Sequence, residues 1–267
     1  GTVTLLEKTR QLLATQAVII INGSSTTEYQ PYVNGRMFES FPTPWETGGN
    51  WRAIMQQYFD LIDQVGSLPP VLVLDGDTEN TGLATNYRDV RFGLTSTLLG
   101  NGYFGYSSGT KSHGQVWWYD EYEVYLGKPH GPPIDLNNSD PTNVRAGLWR
   151  RDFEEGLVLV NATQTPKTVA LDRDFEKIHG AQDTVTNDGS IVQEVELLPQ
   201  DGVILLRLVD QVENLTFPNG SFARILKATG EVARTGFFLS DKRSSGGSEI
   251  HRADLDKDGD LETVIAS

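Results

Sequence analysis

The chain has 267 residues, a net charge of -14 and a pI near 4.7. So acidic a surface excludes nucleic acid as a partner, because phosphate recognition needs a basic face, and it is compatible with calcium and with neutral sugars. The absence of cysteine excludes a disulfide framework and a thiolate metal site, and His113, His130, His179 and His251 show no ligand spacing.

Residues 1–130 alternate short apolar runs with helical patterns, the signature of strand-helix units around a parallel sheet. A helix is expected over 5–13 and strands over 18–21, 36–41, 71–74 and 103–106. The clearest helix carries Trp51, Ile54, Met55, Tyr58, Phe59 and Ile62 on one face, with Asn50 as N-cap. A weaker one runs through Val90, Leu94 and Leu98 and stops at Gly100. This pattern matches half of a (β/α)8 barrel. An open doubly wound sheet is the alternative, although no GxGxxG or Walker loop follows any strand.

Next comes Val116-Trp117-Trp118-Tyr119-Asp120-Glu121-Tyr122, in which four aromatics stand among two carboxylates. Aromatic faces stack on the apolar side of a pyranose and carboxylates accept its hydroxyl hydrogen bonds, so the run suits a sugar; a plain strand with alternating aromatics is the other possibility.

Beyond the breakers Gly131-Pro132-Pro133 the pattern changes. Strand-like runs at 157–161, 168–171, 191–197 and 203–209, with turn signals at Asn187-Asp188-Gly189 and Asp201-Gly202, indicate an antiparallel, β-sandwich-like domain over 131–211. From 212 to 267 the composition shifts to glycine, serine and charge. There Asp254, Asp256, Asp258, Asp260 and Glu262 alternate around Gly259, an arrangement that wraps a hard cation, so Ca2+ is the expected ligand. An EF-hand would place glutamate where Ile265 stands, so strand flanks are expected instead of helices.

No run approaches the roughly 18 apolar residues of a membrane span, and no signal peptide opens the chain. Residue 1 is glycine, so a processed product or a piece of a larger, extracellular or cell-surface protein is expected. Asn22, Asn137, Asn161, Asn214 and Asn219 stand in N-x-S/T sequons.

Several motifs, in order, resemble a family of bacterial and archaeal glycoside hydrolases. They are Arg91-Phe92-Gly93-Leu94, Gly102-Tyr103-Phe104, Trp117-Trp118-Tyr119-Asp120-Glu121-Tyr122, Leu126-Gly127-Lys128-Pro129 and Trp149-Arg150-Arg151-Asp152-Phe153. The stretches 156–161, 187–189 and 201–206 continue the likeness. The calcium loop, with Gly236-Phe237-Phe238-Leu239-Ser240 before it, resembles one FG-GAP or VCBS repeat, the blade unit of a β-propeller. The resemblance implies that the four strands are the C-terminal half of a TIM barrel, followed by a β domain and a blade fragment. With the first half absent, a separate half-barrel chain or a second copy of this chain is the implied partner.

Active-site residues of such a barrel stand at the carboxyl ends of its strands. Glu39 is therefore expected as one member of the catalytic pair, acting as acid because Phe38 and Phe41 would surround it with apolar side chains, with Asp75 as the second choice and a carboxylate of the absent half barrel as the alternative partner. Asp77 and Glu79 are expected to bind hydroxyls, Asp120 and Glu121 to bind substrate or fix their loop, and Trp45, Trp117 and Trp118 to stack on sugar rings. The expected activity is a secreted hydrolase acting on a polysaccharide or oligosaccharide. A non-catalytic carbohydrate-binding or assembly protein on the same frame is the alternative.

Overall fold

The structure, a computed structural model, describes residues 1–14, 16–23, 27–64, 70–76, 86–106, 117–137 and 147–208, and beyond these the backbone of the strands between 216 and 266. The first part runs α1 (Thr2–Leu12), β1 (Ile20–Asn22), β2 (Gly35–Phe38), α2 (Trp51–Gln64), β3 (Val73–Gly76), α3 (Tyr87–Leu98) and β4 (Tyr103–Tyr106). The four strands form one parallel sheet in the order β1-β2-β3-β4. Strand β2 is shorter than the apolar run 36–41 suggests. Ser40 takes a left-handed φ of 52° and Phe41 turns back to donate its N–H to the Asp75 carbonyl at 2.9 Å. Phe41 is thus a core residue but not a strand residue.

Helix α2 buries Trp51, Ile54, Met55 and Tyr58 of the expected stripe, with Phe59 and Ile62 partly buried and Leu61 added to the core, and the Asn50 side chain accepts a hydrogen bond from the Ala53 N–H at 3.3 Å. Helix α3 is buried nearly all round, at Val90, Arg91, Phe92, Gly93, Thr95, Ser96 and Thr97. That is why its apolar stripe is weak in the sequence: it is a middle layer, with the parallel sheet on one side and a second sheet on the other.

The second sheet is antiparallel and contains β5 (Ile134–Asp135), β6 (Leu148–Asp152), β7 (Gly156–Asn161), β8 (Lys167–Lys177), β9 (Ile191–Leu197) and β10 (Asp201–Arg207), in the order β5-β6-β7-β10-β8-β9. Strand β6 has no alternating pattern because a buried arginine, Arg151, occupies an inward position. Its guanidinium donates to the Leu98 carbonyl at 2.9 Å and to the Gly100 carbonyl, which close the carboxyl end of α3.

One face of the antiparallel sheet, with Trp149, Val158, Val160, Ile204 and Leu206, shares a core with Phe38, Trp51, Tyr58 and Leu74. Its other face, with Leu157, Leu159, Val203 and Leu205, packs on Val169, Val195 and Leu197 of the β8–β9 hairpin. A register shift between Ala170 and Phe175 allows the long β8 to bend over that face. Strand β7 is buried on both sides, as its uninterrupted Leu-Val-Leu-Val run requires.

The last strands, β11 (Thr216–Phe217), β12 (Gly220–Leu226), β13 (Val232–Phe238), β14 (Glu249–Ala253) and β15 (Glu262–Ala266), form a third sheet in the order β11-β12-β15-β14, with β13 also paired to β12. Strands β14 and β15 are antiparallel, with Ala253 opposite Glu262. The segment between them is therefore flanked by strands and not by helices. Among the described residues no helix is long and apolar enough to cross a membrane.

Candidate active site

Paired residues of a parallel sheet point to the same side, so the register sorts the sheet into two faces. Phe38 and Leu74, a registered pair, are fully buried against the helices. The opposite face carries Asn22, Met37, Val73, Asp75 and Tyr103 in register, and among the described residues no helix covers it. Ile20 and Tyr103 on this face are 40% and 62% exposed, where a parallel sheet enclosed on both sides would bury them.

At the carboxyl edge of that open face stand both expected catalytic residues. Glu39 follows β2 and is exposed, and Asn22 Nδ2, from the end of β1, donates to its Oε1 at 2.7 Å. The other carboxylate oxygen of Glu39 has no partner among the described residues. Its sequence neighbours Phe38 and Phe41 turn into the core, so they do not surround the carboxylate as the sequence suggests; adjacent positions at a strand end face opposite ways. Asp75, on β3, is half-buried one strand away. Its charge reaches Tyr122, whose hydroxyl is pushed well above the usual tyrosine range by burial first and then by Glu121, Tyr106 and Asp75.

Tyr122 belongs to an aromatic cluster over the end of β4. Tyr119 meets Tyr87, Tyr106 and Tyr122 edge-on, with centroids 6.1, 5.7 and 5.6 Å away, and Tyr122 meets Phe104 and Trp118 at 6.4 and 5.4 Å. Tyrosines thus do the packing, leaving Trp117 and Trp118 42% and 62% exposed. Trp45 is 81% exposed, on the turn after β2. That turn is tied down by Glu46, which accepts a hydrogen bond from Arg36 at 2.9 Å, and the Arg36 guanidinium lies 4.2 Å above the Phe38 ring.

Asp120 and Glu121 face away from the open sheet. Asp120 Oδ2 accepts the Ala181 and Gln182 N–H groups at 2.7 and 2.9 Å, and Gln182 Nε2 donates to the Trp118 carbonyl at 2.7 Å. Buried Glu121 accepts from Asn187 Nδ2 at 2.8 Å. Burial pushes its carboxyl above the usual range, against the opposing pull of the Asn187 hydrogen bond and of Arg91. Both side chains fix the aromatic turn to the antiparallel sheet. Arg91 completes the joint, donating to both oxygens of Asp201 at 3.0 Å and to Asp183.

Asp77, Glu79, Asp254, Asp256, Asp258 and Asp260 lie outside the described residues, as does the side chain of Glu262. The sequon at Asn161 is structural: its buried amide donates to the carbonyls of Thr165, Leu197 and Leu198 at 2.9, 3.1 and 3.0 Å. Sequence reasoning does not single out Asn22 as a site residue, leaves Asp183 and Gln182 without a role, and reads Arg91 only as part of a motif and Asn187 only as a turn signal. The signal for Arg91 is an arginine among core positions of a helix, which must find a buried acid.

No curated protein matches the chain. The family model described as hypothetical glycosyl hydrolase family 15 matches residues 1–157 of 267, which include the parallel sheet, both candidate carboxylates and the aromatic turn. With more than half of its length matched, the chain belongs to hypothetical glycosyl hydrolase family 15.

Proposed function

We propose that the chain is a secreted glycoside hydrolase, or a piece of one, that cleaves a polysaccharide by carboxylate acid-base chemistry. The observation that carries this reading is the placement of Asn22, Glu39 and Asp75 at the carboxyl edge of the uncovered sheet face, beside exposed tryptophans. One carboxyl group protonates the departing glycosidic oxygen, and the other attacks the anomeric carbon or activates the water that does. Asn22 holds one oxygen of Glu39, which leaves the second for substrate. Trp45, Trp117 and Trp118 supply flat apolar faces for flanking sugar units.

On this reading the open face is the inside of a (β/α)8 barrel and the four strands are half of its wall. The free edge of β1 then pairs with a further half barrel or a second copy. The exposed Leu5, Leu12, Val18 and Ile20 near that edge are the apolar surface such a partner would cover.

The test is release of reducing ends from a panel of neutral polysaccharides by the full-length protein. Glu39→Gln and Asp75→Asn are each expected to lower the rate by about 100-fold or more. Unchanged release after Glu39→Gln removes that residue from the mechanism. The non-catalytic alternative rests on the same exposed tryptophans; it predicts polysaccharide binding without release, in the wild type as in Glu39→Gln.

A further inference from the structure

A cavity of about 630 Å3 opens at the other end of the parallel sheet, where the carboxyl end of α3 turns through Gly100 and Asn101 into β4. It lies between α2, the 129–133 segment and β6, and it shares no lining residue with the Glu39–Asp75 edge. Its size falls within the roughly 300–1,000 Å3 of small-molecule sites. We propose that this cavity is a second carbohydrate site, taking a short neutral oligosaccharide.

The lining chemistry selects that class. Phe59, half-buried, supplies an aromatic face. Beside it stands one donor that lacks an acceptor among the described residues. Asn101 Oδ1 is occupied by Arg151 Nη2 at 2.9 Å, which fixes the carboxamide and leaves its N–H groups free. Opposite charges do not favour an ionic ligand: the Arg151 guanidinium is spent on the carbonyls of Leu98, Gly100 and Gly131, and Asp60 adds a carboxylate. Asp60 Oδ1 accepts from Gln56 Nε2 at 2.8 Å, which leaves Asp60 Oδ2 and Gln56 Oε1 as acceptors.

The Asn101 donor and two acceptors around one aromatic ring match a molecule whose hydroxyls each give and accept a hydrogen bond. A purely apolar ligand would leave the Asp60 Oδ2 and the Asn101 N–H groups desolvated and unpaired, which costs more than its burial returns. The site presupposes the carbohydrate chemistry proposed for the family edge, and it would hold a product or a second stretch of the same polymer away from the bond being cut.

Binding of maltotriose, cellotriose and xylotriose to the full chain, followed by titration calorimetry and saturation-transfer NMR, tests this. At least one trisaccharide is expected to bind. Gln56→Trp, which fills the cavity from an exposed helix position, and Asp60→Ala are expected to weaken that binding about tenfold or more. Asn101→Ala is expected to do the same, and unchanged melting curves of the two helix variants show that the fold is intact. Val185→Ala, an exposed position outside both sites, is expected to leave the affinity unchanged.

Absence of binding by all three trisaccharides overturns the proposal, and so does binding that Trp118→Ala abolishes while Gln56→Trp leaves it intact. Reducing-end release, scored separately, keeps the two readings apart. Cavity binding without hydrolysis by the wild type refutes only the catalytic role of Glu39 and Asp75, and hydrolysis without cavity binding refutes only the second site.

Discussion

Arg91 on α3 holds Asp201 on β10 in a two-pronged ion pair, Nε and Nη2 each 3.0 Å from a separate carboxylate oxygen, across 110 positions of sequence. The same guanidinium reaches Asp183, whose segment carries Gln182 and Asn187, the residues that grip the aromatic turn. One buried cation therefore sets both the packing of α3 on the antiparallel sheet and the position of Trp118.

Arg91→Met leaves Asp201 and part of Asp183 buried without their cation. Urea denaturation is expected to show a loss of about 3–5 kcal/mol, and near-UV circular dichroism a change as the aromatic turn loosens. Arg91→Lys keeps the charge but not the fork, so it is expected to recover only part of the loss.

Gly202 touches α3 where no side chain fits. A Cβ there would stand 1.9 Å from Thr95 Oγ1 and 2.9 Å from the Leu159 carbonyl oxygen. Gly202→Ala must push the helix and sheet apart, and a cost of roughly 1–3 kcal/mol or more is expected in thermal melts.

Glu121→Gln tests the buried carboxyl under the aromatic turn. Burial raises its protonation range in the folded chain above that of the unfolded chain, so the ionised form opposes folding at neutral pH. That penalty disappears as pH falls below the unfolded carboxylate range, where both states are protonated. Glutamine keeps an oxygen for Asn187 Nδ2 and is expected to stabilise the neutral-pH protein, seen as a higher melting temperature. The melting-temperature gap between variant and wild type should close on acidification; a gap independent of pH shows that Glu121 does not titrate between the two states.

Trp118→Ala removes an exposed ring that leans edge-on against Tyr122, with centroids 5.4 Å apart. A KM for polysaccharide raised about tenfold, with kcat and melting temperature nearly unchanged, is expected of a stacking platform. A fall in melting temperature without a change in KM would make it a packing residue instead.

The aspartates between β14 and β15 are expected, from their alternation around Gly259, to hold calcium. A chelator is then expected to lower the melting temperature of the C-terminal part. The loss is about 2.7 kcal/mol if the ion is normally present at a hundred times its dissociation constant. A melting curve unchanged by saturating chelator would remove the site.

The secondary structure was legible wherever a local pattern decides it. The α2 stripe with its Asn50 cap, the strand at Tyr103–Tyr106 and the apolar run of β7 follow from periodicity, which needs only neighbours within a few residues. Strand β6 escaped because its inward Arg151 looks like a surface residue until the carbonyls of Leu98 and Gly100 are brought to it. The end of β2 escaped because Phe41 belongs to the core without belonging to the ladder.

For the site, the sequence by itself determined which side chains can handle protons or stack on sugars: strand periodicity with the family resemblance marked Glu39 and Asp75, and the aromatic run marked Trp117 and Trp118. Only the tertiary structure decided which way they face. Glu39 stands outside the apolar shell of Phe38 and Phe41 with Asn22 as its partner, while Asp120 and Glu121 turn from the open sheet to brace a loop more than 60 positions away. The reason is physical: a side chain's chemistry is carried by the residue, but its solvation and its partners come from contacts between distant segments, which no local pattern encodes.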